Sequence, residues 1–301
     1  MSAQRKSELY LLVVTIIWGS TFVISKALLD HASPLFYCGV RFLLAAGIVL
    51  ALYFRRVVVI PISTIIKGSV LGGLLFVGFA LQTIGLQYTT ASKNAFFTGL
   101  LVVLTPIVHY SVQNILKLVR KPLKYGNIFG VVCAAIGLYL LTSPSGGAFN
   151  FGDAMTLGCA LMFALYIVYL DFASSEPDKL QLTYVQFVFC GILGLLSAWF
   201  FEDIRMEFTP NFVWSLLYLV IFATVISMWV QNQFQGYTTP TRAAVIFSLE
   251  PVIAAIFAYY VRGENIGMLG IAGGVFIMTG LLLSEFSDYI PGLKQSVVRE
   301  T

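Results

Sequence analysis

Glu250 stands beside Pro251 in the middle of an apolar stretch, and Arg41 lies seven residues inside another. A charge at the centre of a membrane helix costs about 2.5–3.5 kcal/mol on insertion scales, so each needs a reason. For Glu250 two readings stand: a carboxylate that carries a coupling proton or a cation, or a carboxyl that is held neutral or paired with Arg41 or Lys26 and ties helices together. Pro251 lacks a backbone N–H and leaves a carbonyl one turn earlier without its helical donor. The Arg41 guanidinium can grip a carboxylate or phosphate with two parallel bonds, or serve helix packing. His109, three residues after Pro106, is either a proton relay or a packing histidine. Lys26, near the end of its stretch, can carry its ammonium to the interface.

Uncharged polar groups are more plentiful. Trp18, Thr21 and Ser25 form one stripe at helical spacing, and Phe163, Tyr166 and Tyr169 another. Gln82 lies in a third stretch. Asn94 and Thr98 are one turn apart and share a face. Trp229 precedes a polar cluster that contains Gln231, Asn232, Gln233 and Gln235. From these, Trp18, Thr21, Gln82, Asn94, Thr98, Tyr166, Trp229 and Asn232 are the candidate substrate contacts. Aromatic faces with few polar anchors suit amphipathic or aromatic ligands. Catalysis finds little support: His31 and His109 are far apart, with no HExxH or HxxxH partner, and there is no GxxxxGK[ST] phosphate loop. Cys38, Cys133, Cys159 and Cys190 stand singly in apolar runs and read as packing residues. No catalytic group, metal site or cofactor is expected.

The elements that position these groups follow from composition. Of 301 residues 58% are apolar and 11% charged, with mean hydropathy +0.88, against about 25% charged in soluble domains. A net charge of +4 gives no reason to expect nucleic acid. The chain divides into ten apolar segments, at 9–29, 34–54, 66–88, 93–116, 125–142, 152–172, 181–201, 211–235, 241–261 and 267–285, each near the length that crosses a bilayer. The first has no convincing cleavage site and reads as a retained helix. With both termini cytoplasmic, thirteen basic residues fall on the inside, including Arg5, Lys6, Arg55, Arg56, Lys67, Lys117, Arg120, Lys121 and Lys124, against Lys93, Arg205 and Arg262 outside. That bias favours this orientation.

Sliding the chain by 145 residues places Trp18 on Phe163, Arg41 on Gln186 and Pro106 on Pro251. Tyr88-Thr-Thr-Ala-Ser-Lys93 matches Tyr237-Thr-Thr-Pro-Thr-Arg242 at an offset of 149. The first half therefore holds four more residues, about one helical turn, between that turn and its proline. Both halves end in a Gly-x6-Gly helix, Gly130 to Gly137 and Gly273 to Gly280. Five spans per half is odd, so the second half enters the membrane from the other side. Such inverted repeats are a common construction of secondary transporters. The expected units are 1–145 and 146–301, with a site between them.

The opening Trp18-Gly-Ser-Thr-Phe-Val-Ile-Ser-Lys26, Ser33-Pro34 followed by Arg41-Phe42, the two Thr-Thr turns, Leu249-Glu250-Pro251 and the terminal Gly-x6-Gly helices together resemble the drug/metabolite transporter superfamily, and within it two tandem EamA-type units, across residues 9–285. The resemblance implies a cavity lined mainly by the first, third, fourth, sixth, eighth and ninth helices, and movement of metabolites, amino acids or foreign compounds across the cytoplasmic membrane, often outward. The chain departs from that pattern at Thr105-Pro106, where the first half lacks a Glu-Pro pair, and at Arg120-Lys121, where many relatives carry the Gly-Glu that the second half keeps as Gly263-Glu264.

The expectation is an all-α integral membrane protein, with ten transmembrane helices as two inverted five-helix repeats and both termini in the cytoplasm. It would work as a secondary transporter, with export favoured and proton coupling through Glu250 open. Its partners would be a small-molecule substrate and the lipid bilayer, with a homodimer left open. The competing classes are a membrane-embedded enzyme and a non-transporting scaffold or sensor.

Overall fold

The computed structural model describes residues 3–116, 125–142, 150–262 and 267–285; Lys117, Arg120, Lys121, Lys124, Gly263, Glu264, Lys294 and Arg299 lie outside them. The helices are α1 (Ala3–Leu28), α2 (Pro34–Val57), α3 (Ile62–Tyr88), α4 (Ala91–Gly99), α5 (Leu101–Leu116), α6 (Tyr125–Thr142), α7 (Phe151–Ala173), α8 (Lys179–Phe201), α9 (Pro210–Tyr218), α10 (Ser227–Phe234), α11 (Pro240–Phe247), α12 (Glu250–Arg262) and α13 (Gly267–Glu285). Together they form ten membrane-spanning units. Eight are long and apolar enough to cross a membrane, and Tyr125–Leu140 and Gly267–Gly280 are shorter apolar helices. The chain is a multi-pass membrane protein.

Local chemistry explains where the spans start. Pro34, Pro210 and Pro240 occupy first-turn positions, where a missing N–H costs nothing. The Thr90, Thr209 and Thr239 side chains accept from the N–H three residues on, and Asn150 and Asp153 form a reciprocal capping box. Large apolar side chains such as Trp199, Phe200, Phe201, Trp214 and Tyr260 are strongly exposed. They belong to the surface that lipid covers.

Three features depart from the ten smooth segments read from sequence. The fourth span breaks at Leu100 between α4 and α5, and the ninth breaks at Ser248-Leu249 between α11 and α12. The eighth passes through a π-helical stretch, Leu219–Ile226, between α9 and α10. At both breaks the register is that of the Thr-Thr turns, so Leu101 and Glu250 are each the first residue of the helix that follows. Glu250-Pro251 therefore corresponds to Leu101-Val102, not to Thr105-Pro106. The four additional residues of the first half place Pro106 inside α5, whereas Pro251 sits at the start of α12.

Packing between the halves follows a two-fold pattern. Helices α6 and α13 pack together, as do α2 and α8. Helix α3 packs on α7 and α8, as α10 packs on α1 and the π-helical stretch on α2, while α1 packs on α12 as α7 does on α5, and α4 on α12 as α11 does on α5. Exchanging the halves maps this scheme onto itself. Small residues permit the approach: a Cβ on Gly137 would lie 2.6 Å from the carbonyl oxygen of Gly273, and one on Gly280 would lie 2.6 Å from that of Gly130. Gly39 and Gly194 meet in the same way between α2 and α8. Ion pairs between connections agree with ten alternating spans. On the face that carries the N-terminus lie Arg56–Asp178 at 3.0 Å, Lys67–Glu176 at 2.8 Å and Arg242–Glu8 at 3.3 Å. On the opposite face lie His31–Glu207 and Lys93–Asp153, both at 3.2 Å.

Candidate functional site

Both helix breaks adjoin one cavity of about 50 Å³ between the halves, room for a few waters, and the π-helical stretch stands behind its Trp18 and Arg41. Its walls are built from repeat-related positions: Trp18 with Phe163, Thr21 with Tyr166, Phe79 with Met228, Gln82 with Gln231, and Leu101 with Glu250. Arg41, Leu75, Ile167 and Phe247 complete it. The lining thus comes from the six spans that the resemblance implies, with Arg41 adding the second. A smaller pocket of about 20 Å³ shares Thr21, Arg41, Phe79 and Gln82 and extends to Leu86. Beyond it, Lys26 Nζ donates to the carbonyls of Leu86 at 2.5 Å, Thr89 at 3.1 Å and Gln87 at 3.2 Å, the terminal carbonyls of α3 that have no helical donor.

Arg41 is 3% exposed. Its Nε donates to Thr224 Oγ1 at 2.7 Å and its Nη1 to the Tyr37 hydroxyl at 3.4 Å, with the guanidinium 5.0 Å from the centre of the Phe79 ring. Thr224 belongs to the π-helical stretch, as does Ala223, whose carbonyl accepts the Trp18 indole N–H at 2.9 Å. A π-helical turn displaces backbone groups from the regular ladder and often marks functional sites. Here it brings both acceptors to the cavity wall.

Glu250 is half-buried at the start of α12, where free N–H groups and the helix dipole favour an anion. Among the described residues no hydrogen-bond or ion-pair partner reaches its carboxyl. Neither Lys26 nor Arg41 is paired with it, and of the sequence readings the neutral carboxyl and the coupling carboxylate both stand. A cation and a carboxylate line one small apolar cavity.

Of the other residues singled out from sequence, Trp18, Thr21, Gln82 and Tyr166 line the cavity. Asn94, Thr98 and Asn232 lie one layer behind. Thr98 Oγ1 accepts from Gln82 Nε2 at 3.2 Å, and Asn94 Nδ2 donates to the Gln82 carbonyl at 3.1 Å and to Thr156 Oγ1 at 2.8 Å. Asn232 joins the Tyr166 hydroxyl at 3.2 Å and Thr183 Oγ1 at 2.8 Å. His109 is buried in α5 and absent from the lining. Trp229 is 40% exposed and faces away from the cavity, because it follows Met228, which lines it, by a rotation of about 100°. Phe79, Met228, Leu101 and Thr224 escaped sequence reasoning. Leu101 could have been found as the repeat partner of Glu250; Phe79 and Met228 partner only each other, and Thr224 depends on the π-helical register, which no periodicity signals.

Comparison with known proteins agrees with this architecture. Residues 5–143 and 150–286 each match the EamA-like transporter family. An "Uncharacterized transporter" of Archaeoglobus fulgidus is 33% identical over 282 residues, covering 92% of this chain and 85% of the relative. A Salmonella typhimurium protein named "Probable amino-acid metabolite efflux pump" is 27% identical, covering 94% of this chain and 95% of its own length. A solved structure titled "Crystal structure of protein" superposes with a TM-score of 0.76 at 14% identity, over 93% of this chain and 96% of that one, which shows the fold. With two inverted five-helix units around a shared cavity, the chain belongs to the EamA-like transporter family and is a transporter, not an enzyme.

Proposed function

We propose that the protein is a secondary active exporter of small amphoteric metabolites, working by alternating access in the cytoplasmic membrane with both termini in the cytoplasm. The observation that carries this reading is the cavity between the halves, in which Arg41 and Glu250 are the charged members of a lining otherwise made of aromatic, aliphatic, amide and hydroxyl side chains. Arg41 would take a carboxylate, using guanidinium donors that Thr224 and Tyr37 leave unused. Glu250 would take an ammonium or the coupling proton, and Trp18, Phe79, Phe163 and Phe247 would cover the apolar part. Asn94, Thr98 and Asn232 would hold Gln82 and Tyr166 in place. At about 50 Å³ the cavity must widen to admit a metabolite, as a carrier that opens to one side at a time requires. The printed name of the Salmonella relative supports both the outward direction and amino-acid-related cargo. The basic bias of Arg5, Lys6, Arg55, Arg56 and Lys67 supports the orientation.

An untargeted comparison of metabolites inside and outside cells that express or lack the chain should show one amphoteric class depleted inside and enriched outside. Reconstituted Arg41→Gln protein should lose flux of that class about tenfold or more, the size of one charge-assisted bond. Glu250→Gln should abolish uphill transport yet keep counterflow exchange. Uphill flux unimpaired in Glu250→Gln would remove proton coupling from this residue, and an unchanged metabolite profile would remove export.

A further inference from the structure

Glu8 and Asp153 occupy one position in the two halves, 145 residues apart, each near the start of the first helix of its half. Both are buried, at 6% and 0% exposure. Asp153 accepts from Thr89 Oγ1 at 2.8 Å, Asn150 N–H at 3.0 Å and Lys93 Nζ at 3.2 Å. Glu8 accepts from Gln4 Nε2 at 2.8 Å, Thr238 Oγ1 at 3.1 Å and Arg242 Nη1 at 3.3 Å. Thr89 with Thr238, and Lys93 with Arg242, are themselves repeat partners. Each carboxylate therefore holds the Thr-Thr turn of the opposite half, and inversion puts the two clusters on opposite membrane faces.

Each turn is held from the other side as well. The Thr89 carbonyl accepts from Lys26 of α1 while its hydroxyl donates to Asp153 of α7, so this turn joins α1 to α7 across one end of the cavity. At the other end Gln235 donates to the Ile167 carbonyl of α7 at 2.8 Å while Thr238 and Arg242 reach Glu8 of α1. Both ends are tied at once, with about 50 Å³ of cavity between them. These clusters lie where α1 and α7 begin, next to water that can solvate released charges. A buried ion pair is close to energetic balance, since desolvation offsets most of its attraction. The glycine contacts of α6 with α13 have no such substitute partner.

The geometry points to Asp153 and Glu8 as positioning residues that latch the two ends of the transport path, each released in turn while the other holds. This deepens the exporter reading and rests on it for its role in turnover, but sidedness can be measured without a substrate. In the full chain, with the four native cysteines replaced and Thr21→Cys as reporter, a membrane-impermeant maleimide is applied to right-side-out and inside-out vesicles. Asp153→Asn raises labelling from the face opposite the termini about five- to thirtyfold, the effect of one or two kcal/mol on a two-state equilibrium, and leaves the other face unchanged. Glu8→Gln does the reverse. Lys93→Gln and Arg242→Gln give the same sidedness and serve where a carboxylate variant fails to assemble. The charge-exchanged pair Lys93→Asp with Asp153→Lys returns labelling toward the parent. Labelling that rises equally on both faces, or on neither, in both pairs overturns the latches, since a purely structural staple has no sidedness. One-sided labelling without transport of any metabolite would instead sink the exporter reading and leave the latches standing.

Discussion

Gly137 meets the carbonyl of Gly273 and Gly280 that of Gly130, whereas Arg41 is answered in the other half by Gln186, and Glu250 by Leu101. The two halves agree where helices touch and where turns close the ends, and they differ where side chains face the cavity. Under the alternating access proposed above, two units that exchange conformations would need matching contacts to exchange, which is a reason for packing and the end turns to keep the repeat. A metabolite has no two-fold axis, so the groups that bind it have no reason to keep one. Even the shared polar bonds divide this way: Thr90 and Thr239 cap their helices identically, but Arg41 bonds Thr224 while Gln186 accepts from the Tyr166 hydroxyl at 3.1 Å.

The largest effect should come from moving the acid across the repeat. Glu250→Leu should reduce proton-driven uphill flux to that of protein-free vesicles. Adding Leu101→Glu, which also lines the cavity as the first residue of its helix, should restore a measurable part. The cost of the new charge, about 2.5–3.5 kcal/mol on insertion scales, keeps recovery incomplete. Flux driven by a pH gradient in the single variant would break the distinction between the acid-bearing position and its bare repeat partner.

Gly137→Ala and Gly280→Ala probe the symmetric side. Each methyl would meet backbone of the facing helix, with an overpacking cost of about 1–3 kcal/mol. Thermal inactivation in detergent should show equal losses for the two. Gly47→Ala, which has open space around its Cβ, should stabilise by up to about 1 kcal/mol. Unequal losses at 137 and 280 would mean that the two-fold packing is only apparent.

Trp18→Phe makes the first half resemble the second. It removes the indole bond to the Ala223 carbonyl, worth about 0.5–1.5 kcal/mol, and should raise KM severalfold with little change in assembly. Phe163→Trp should act differently, through stability, because the Phe163 ring already lies against Gly78. Equal KM effects from both would erase the asymmetry of the aromatic pair.

Hydropathy and the self-match made the span boundaries, the inversion and the glycine helices legible, because these depend on residue type at regular spacing. Part of the cavity was legible through Trp18, Thr21, Gln82, Tyr166, Arg41 and Glu250 for the same reason. What escaped depends on departures from regular helix. The breaks at Leu100 and Leu249 change which residue answers Glu250, and the π-helical register brings Thr224 to Arg41 and Ala223 to Trp18. Nothing in the sequence sets Glu8 and Asp153 apart from other charges near helix ends. Their partners lie in the other half, 234 and 60 residues away, and only the assembled bundle brings them together.

The smallest effect concerns another tie that is repeated with altered chemistry. Glu176 and His31 are repeat partners in the α7–α8 and α1–α2 connections. Glu176 takes Lys67 at 2.8 Å and Thr64 Oγ1 at 2.5 Å and is buried, whereas His31 and Glu207 are both well exposed. The Lys67 ammonium, then the Thr64 hydroxyl, hold the Glu176 carboxyl below its ordinary value of 4.5. The unfolded chain therefore takes up that proton first as pH falls. Stability from Glu176 is complete above the ordinary value and is lost as pH drops through the depressed one. Thermal inactivation followed downward from pH 6 should lose on the order of 1 kcal/mol through this group, the upper range for a partly exposed pair. Glu176→Gln should flatten that part of the profile, and His31→Ala should leave it as it was, since an exposed pair contributes little. A profile unchanged by Glu176→Gln would show that the two ties are energetically alike despite their different burial.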